Sequence, residues 1–219
     1  MSALRVGIAC YPTYGGSGVM ATELGLALAD RGHDVHLFSY ERPMRLPACH
    51  HGITFHPVSV SSYPLFRYPP YDLALSPPLR EVMAEKALAV VHVHYAIPHA
   101  ISAHLAREML PGCRTRIVTT LHGTDATIFG RDPSYRDVIR FGLQKSDAIV
   151  CVSDWLAAQT REVFAFDGPL EVVHNFVDQS RFKPRETDAV RDELGGNGRS
   201  LLLHASNFRP LKRALDTLE

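Results

Sequence analysis

CYPTYGGSGVMATELG (residues 10–25) follows directly on the apolar run RVGIAC (5–10), and its Gly15-Gly16-Ser17-Gly18 cluster opens a helical pattern. An apolar run without polar alternation, then a glycine-rich turn, then a helix is the first unit expected of a parallel sheet whose strands are buried on both faces. The unpaired N–H groups at such a helix start, together with the helix dipole, attract a phosphate or a carboxylate. Two other readings compete. Gly16, Gly18 and Ala21 satisfy the relaxed Gly-x-Gly-x-x-Ala dinucleotide fingerprint, with Glu41 placed as a ribose-binding acid, but Tyr-Pro-Thr-Tyr intervenes where that fingerprint needs a tight turn. A plain turn with Ser17 as helix N-cap is the third.

Outward from this stretch the strand–helix alternation repeats. Ala21, Leu24, Ala27 and Leu28 share one helical face, which ends near Gly32. Strands are expected in HDVHLFSY, ITFHPVSV, AVVHVHY, RIVTTLHG, DAIVCVS and LEVVHNFV. Helices are expected in SPPLREVMAEKAL, with its prolines in the first turn, and in PHAISAHLAREML, SYRDVIRFGLQKS and DWLAAQTREVF. The pattern predicts an α/β fold, a doubly wound parallel sheet covered by helices on both faces, over residues 1–177. Residues 178–199 are charged and glycine-rich and read as a linker with a short helix. LLLHASN begins a new strand, followed by a loop and the helix start RALDTLE, so 200–219 reads as the first piece of a second domain.

The 23 basic and 23 acidic residues cancel, which argues against a nucleic-acid binder or a polybasic membrane anchor. No apolar run approaches the ~20 residues that span a bilayer. The four cysteines form no Cys-x-x-Cys pair and read as reduced thiols. A soluble, cytoplasmic protein is expected, with a homo-oligomer left open.

In a parallel sheet, ligands bind beyond the carboxyl ends of the strands, and polar residues gather there. His92 and His94 form a His-x-His pair on one strand face, read either as metal ligands or as structural. His122-Gly123-Thr124-Asp125 crowds four hydrogen-bonding positions at a strand exit; the plainer reading is an Asp cap beside a strand-end histidine. His50, His51, His56, His99 and His104 read as surface or packing residues. In NFRPLKR (207–213), three cations at a loop-to-helix junction suit a diphosphate, though a solvated basic turn is ordinary.

Together the glycine loop, LHGTD, VSDWL, VVHNFVD and ASNFRPLKR resemble the family 4 retaining glycosyltransferases of the GT-B fold. That resemblance implies two Rossmann-like domains, the first binding the acceptor and the second the nucleotide-sugar. YPPYDL, HYAIPHA and FRPLKR are similar to a subgroup that transfers N-acetylglucosamine from UDP-GlcNAc to the hydroxyl of L-malate, the first step of bacillithiol biosynthesis. It implies retention at the anomeric carbon, no metal or other cofactor, and small-molecule partners only. The roles implied are these. His122 sits near the sugar, and Lys212 and Arg209 stabilise the leaving diphosphate, with Asn207 and the N–H groups of Gly16 and Ser17 beside it. Ser17, Tyr95, Thr120 and Arg140 hold the acceptor; Gly123, Thr124, Asp125, Ser153 and Asn175 organise the loops. Two departures stand out. Ser206-Asn207-Phe208 replaces the family's Gly-Arg-Leu, so Asn207 or Arg209 must do part of the arginine's work, and Arg213 stands where glycine is usual. The family's Glu-x7-Glu pair would lie beyond residue 219, so these residues alone are expected to be inactive. A nicotinamide-dependent oxidoreductase and a non-catalytic acceptor-binding module are the alternatives.

Overall fold

The computed structural model describes residues 2–61, 63–185, 187–195, 198–206, 208 and 210–217. The chain divides into two compact units, Met1–Asn175 and Phe176–Glu219.

The first unit holds seven strands: β1 (Arg5–Ala9), β2 (Asp34–Ser39), β3 (Ile53–Pro57), β4 (Val90–His94), β5 (Arg116–Leu121), β6 (Ala148–Cys151) and β7 (Glu171–Val172). All pair in parallel, in the order β3-β2-β1-β4-β5-β6-β7. The helices are α1 (Gly16–Ala29), α2 (Tyr71–Lys86), α3 (Ile101–Glu108), α4 (Thr124–Thr127), α5 (Pro133–Lys145) and α6 (Asp154–Phe164). β1 and β2 are buried at every position after the first, as strands covered on both faces require. Neighbouring residues of β1 serve opposite layers. Ile8 packs with Ala21 and Ala29 of α1, whereas Ala9 packs with Leu75, Leu79 and Ala103 of α2 and α3. Helices therefore cover both faces, and the expected doubly wound sheet is the observed one. Its strand order reverses between β1 and β4, the place where such sheets open a crevice.

Three local expectations are corrected. α2 starts at Tyr71, so Pro77 and Pro78 lie inside the helix and not in its first turn. The two missing N–H groups each cost an intrahelical hydrogen bond, and burial of Leu75, Leu79, Val82 and Met83 outweighs that loss. The leucines of LLLHASN form no strand among the described residues: Leu202 and Leu203 are 87% and 90% exposed, and a parallel strand needs a neighbour that the described residues of the second unit do not supply. Among the described residues the last segment forms a short 3-10 turn, Leu215–Thr217, in place of the expected α-helix. The second unit otherwise contains α7 (Asp188–Glu193) and the 3-10 turn Pro210–Lys212. Among the described residues no helix is long and apolar enough to cross a membrane.

Candidate active site

The loops beyond the strand ends build the site. After β1, residues 10–15 run into α1, whose N-cap is Gly15, with extended φ/ψ and no side-chain cap bond. Ser17 is therefore not the N-cap; it lies one residue inside the helix and is 7% exposed. Gly18 is confined by its own loop, since a Cβ there would sit 2.5 Å from the Tyr11 carbonyl oxygen and 2.8 Å from that of Thr13. The glycine that a dinucleotide fingerprint reserves for pyrophosphate approach is used here to fold the loop back on the helix. Gly16, by contrast, has open space where a Cβ would be.

β4 and β5 supply a histidine ladder. Their register sets His92 opposite Val118 and His94 opposite Thr120. Each histidine reaches the residue two positions beyond its register partner, Thr120 within β5 and His122 just past its end. His92 Nε2 lies 2.7 Å from Thr120 Oγ1, and His94 Nδ1 lies 2.8 Å from His122 Nε2. Burial holds the imidazoles neutral: His92 and His122 are pushed down to about 4 and His94 well below its ordinary value. The His-x-His pair is thus engaged in hydrogen bonding, and among the described residues no three His, Cys, Asp or Glu side chains group as a metal site.

At the end of β4, Tyr95 adopts φ 82°, ψ 142°, a conformation costing on the order of 1–3 kcal/mol for a non-glycine residue. Its N–H bonds the Thr120 carbonyl at 2.9 Å, and its ring lies 5.3 Å from His122 and 5.7 Å from Tyr11. The chain then turns through the kinked segment Ala96–Ala100, and the Ala96 N–H donates to Asp125 Oδ1 at 2.9 Å. Asp125 is fully buried and its Oδ2 has no partner among the described residues; burial pushes its carboxyl up to about 7, with backbone amides pulling the other way. It is not the cap of its own helix. Gly123, at φ 114°, takes that position, and its carbonyl accepts the Thr127 N–H at 2.9 Å.

Beside this rim lies a cleft of about 1090 Å³ walled by Tyr11, Tyr40, Tyr68, Tyr71 and Tyr135. Asp72 is its one charged lining residue among those described. The walls suit ring-shaped or neutral groups and offer no cation to a carboxylate.

The structure thus brings together Gly16 and Ser17 at one loop, and Tyr95, Thr120, His122, Gly123, Thr124 and Asp125 at the next two strand ends. Thr120 is buried with its hydroxyl 2.7 Å from His92 Nε2, which places it in the ladder. Ser153 caps α6, accepting the Leu156 N–H at 3.2 Å. Asn175 is exposed and follows β7 outside regular secondary structure. Arg140 is exposed; the cleft-lining residues of its helix are Ser134, Tyr135 and Val138, and the helical period turns Arg140 to the far side. Lys212 is an exposed cation of the second unit, while Asn207 and Arg209 lie outside the described residues. His99, expected at the surface or in packing, is fully buried. Its Nδ1 bonds the His94 carbonyl at 2.6 Å, and its ring packs edge-on against Tyr11 at 4.7 Å. No spacing rule singles out His99 or Tyr11, because their partnership is made by the Ala96–Ala100 turn.

Comparison with known proteins agrees with this layout. The chain is 46% identical over 217 residues to the N-acetyl-alpha-D-glucosaminyl L-malate synthase of Bacillus anthracis, covering 99% of this chain and 57% of that one. The chain thus spans little more than half of that relative's length. Among solved structures, a glycosyltransferase from Rickettsia africae superposes with TM-score 0.67 at 17% identity, over 89% of this chain and 50% of that one. Sucrose-phosphate synthase from Thermosynechococcus elongatus gives 0.63 at 18%, over 88% and 52%. At such identities the superpositions establish the fold. The profile of Glycosyltransferase Family 4 matches residues 14–181, well over half of the chain, and the protein therefore belongs to that family.

Proposed function

We propose that this chain forms the acceptor-binding part of a retaining glycosyltransferase that moves N-acetylglucosamine from UDP-GlcNAc to the hydroxyl of L-malate, in the first step of bacillithiol biosynthesis. The 46% identity to the Bacillus anthracis synthase across 99% of the chain carries this reading. The enzyme is proposed to be cytoplasmic and independent of metal.

In this reaction the oxygen of the malate hydroxyl forms the new bond to the anomeric carbon as the bond to the diphosphate breaks. The acceptor proton passes to the leaving phosphate on the same face, so configuration is retained. The protein's work is then to place the acceptor and to balance charge growing on the diphosphate. Malate brings two carboxylates. The tyrosine-walled cleft offers them no cation, whereas the first turn of α1 offers N–H groups at Gly16 and Ser17 and the Ser17 hydroxyl. Those groups are assigned to an anionic group of substrate, with Tyr95 supplying a further hydroxyl. His122 is assigned to the sugar as a hydrogen-bonding group. Lys212, with Arg209 and Asn207, is assigned to the diphosphate.

The test is product formation by the full-length protein. UDP release that requires both UDP-GlcNAc and L-malate, and survives EDTA, is the expected result. UDP release with another acceptor but not malate would keep the family and reject malate. Calorimetric binding of a nicotinamide cofactor with none of UDP would reject the transferase reading.

A further inference from the structure

His122 can meet a substrate through Nδ1 alone, because Nε2 is already engaged with His94. Its Nδ1 has no partner among the described residues, and the side chain is only partly buried. Whether Nδ1 carries a proton or a lone pair decides what His122 can do. Neutral imidazole has one of each, so the direction of the His94–His122 bond fixes the answer.

The surroundings of His94 set that direction. The 5.1 Å between the two ring centroids, with 19° between planes, is an edge-to-edge pair joined by one hydrogen bond. The remaining nitrogen of His94, Nε2, is buried without a partner among the described residues. If His122 donated, His94 Nε2 would carry an N–H buried with no acceptor. If His94 donates, Nε2 keeps only a bare lone pair. Orphaned buried N–H groups are the rarer of the two defects in folded proteins. His99, in contact with the same strand, displays the same choice. Its Nδ1 faces the His94 carbonyl and must donate, which leaves its own buried Nε2 as a bare, unpartnered acceptor.

The geometry points to His94 as a positioning residue for His122: it donates Nδ1–H to His122 Nε2 and so locks His122 as the Nδ1–H tautomer. His122 then presents a hydrogen-bond donor to an oxygen of the substrate and cannot accept a proton at its exposed nitrogen. Lowered pKa values along the ladder keep both rings neutral, as the lock requires. The catalytic consequence rests on the transferase reading above; the tautomer itself does not.

The experiment is nitrogen-15 NMR of histidine-labelled full-length protein at neutral pH, with the His122 signals assigned by His122→Gln. The expected result is a protonated Nδ1 and a bare Nε2 at His122. His94→Phe, which keeps a flat ring but removes the donor, should release the tautomer; His94→Asn, whose amide can donate from nearly the Nδ1 position, should retain it. With UDP-GlcNAc and L-malate, His94→Phe should lower kcat roughly ten-fold with little change in the malate KM, and His94→Asn should restore most of it. A protonated Nε2 at His122 in the parent protein, or an unchanged tautomer in His94→Phe, overturns the proposal. If the phenylalanine variant does not fold, the parent spectrum alone decides. Absence of turnover with malate alongside the expected tautomer rejects the proposed reaction and leaves the lock standing.

Discussion

Asp125 Oδ1 accepts the Ala96 backbone N–H at 2.9 Å, tying the loop after β5 to the loop after β4, while its equally buried Oδ2 has no partner among the described residues. The bond positions the rim, and the orphan oxygen makes the charge costly. Burial raises the folded pKa to about 7, against about 4 for an unfolded aspartate. Between those values the folded chain holds a proton that the unfolded chain has lost, so stability falls as pH rises from about 4 to about 7 and levels off above. Asp125→Asn keeps the acceptor for Ala96 and removes the charge. Thermal melts from pH 5 to 8 should show a decline in Tm for the parent that is largely absent in the variant, with a differential of several degrees. Parallel curves would mean that Asp125 ionises freely in the fold.

Gly16 and Gly18 should respond oppositely to alanine. At Gly18 the added Cβ meets two backbone carbonyls at 2.5 and 2.8 Å, neither of which can rotate away. Gly18→Ala should cost about 1–3 kcal/mol and displace the loop that leads into α1. Gly16→Ala meets nothing within 4 Å and should be neutral or slightly stabilising. Chemical denaturation of both variants checks this.

Ser17 lies inside the first turn of α1 and does not cap it, so Ser17→Ala should leave thermal stability nearly unchanged. Steady-state kinetics should then show the malate KM raised several-fold with UDP affinity unaltered, the signature of a group lost from the acceptor. The reverse pattern would assign Ser17 to the donor.

Asp147, just before β6, ties α3 to β5. Arg107 of α3 and Arg116 of β5 bond its two oxygens at 2.6 and 2.8 Å, and the Ile117 N–H donates at 2.8 Å. Its burial would raise the pKa, but the Ile117 amide and the two guanidinium groups outweigh it and hold the carboxyl below the usual range. The stability it contributes is present above the ordinary aspartate pKa and is lost as pH falls through the lowered one. Asp147→Asn should lower Tm at pH 7 by a few degrees, and that difference should shrink in acid.

Much of the fold was legible because its signals are local. Strands buried on both faces are largely apolar, and RVGIAC and DAIVCVS show that pattern without polar alternation. DWLAAQTREVF matches α6 residue for residue, because Ser153 marks the start and the apolar period runs to Phe164. Pro77 and Pro78 misled because a local rule about helix starts yields when Leu75, Leu79 and Met83 bury together in the core. LLLHASN misled in the opposite sense: its composition suits a strand, but pairing is a property of neighbours and not of the segment.

The residues themselves determined the alternating parallel architecture, the glycine loop opening α1 and the gathering of polar groups at the strand ends. These follow from period, turn chemistry and the one-sided placement of ligands in such sheets. Only the tertiary structure decided which of those groups act together. Register set His94 against His122 and His92 against Thr120, across 28 residues of chain in each case. Burial separated Asp125 from the exposed carboxylates, and the turn of α5 carried Arg140 away from the cleft. Hydrogen-bond partners and desolvation depend on what the fold brings alongside a side chain, and no spacing along CYPTYGGSG or LHGTD contains that information.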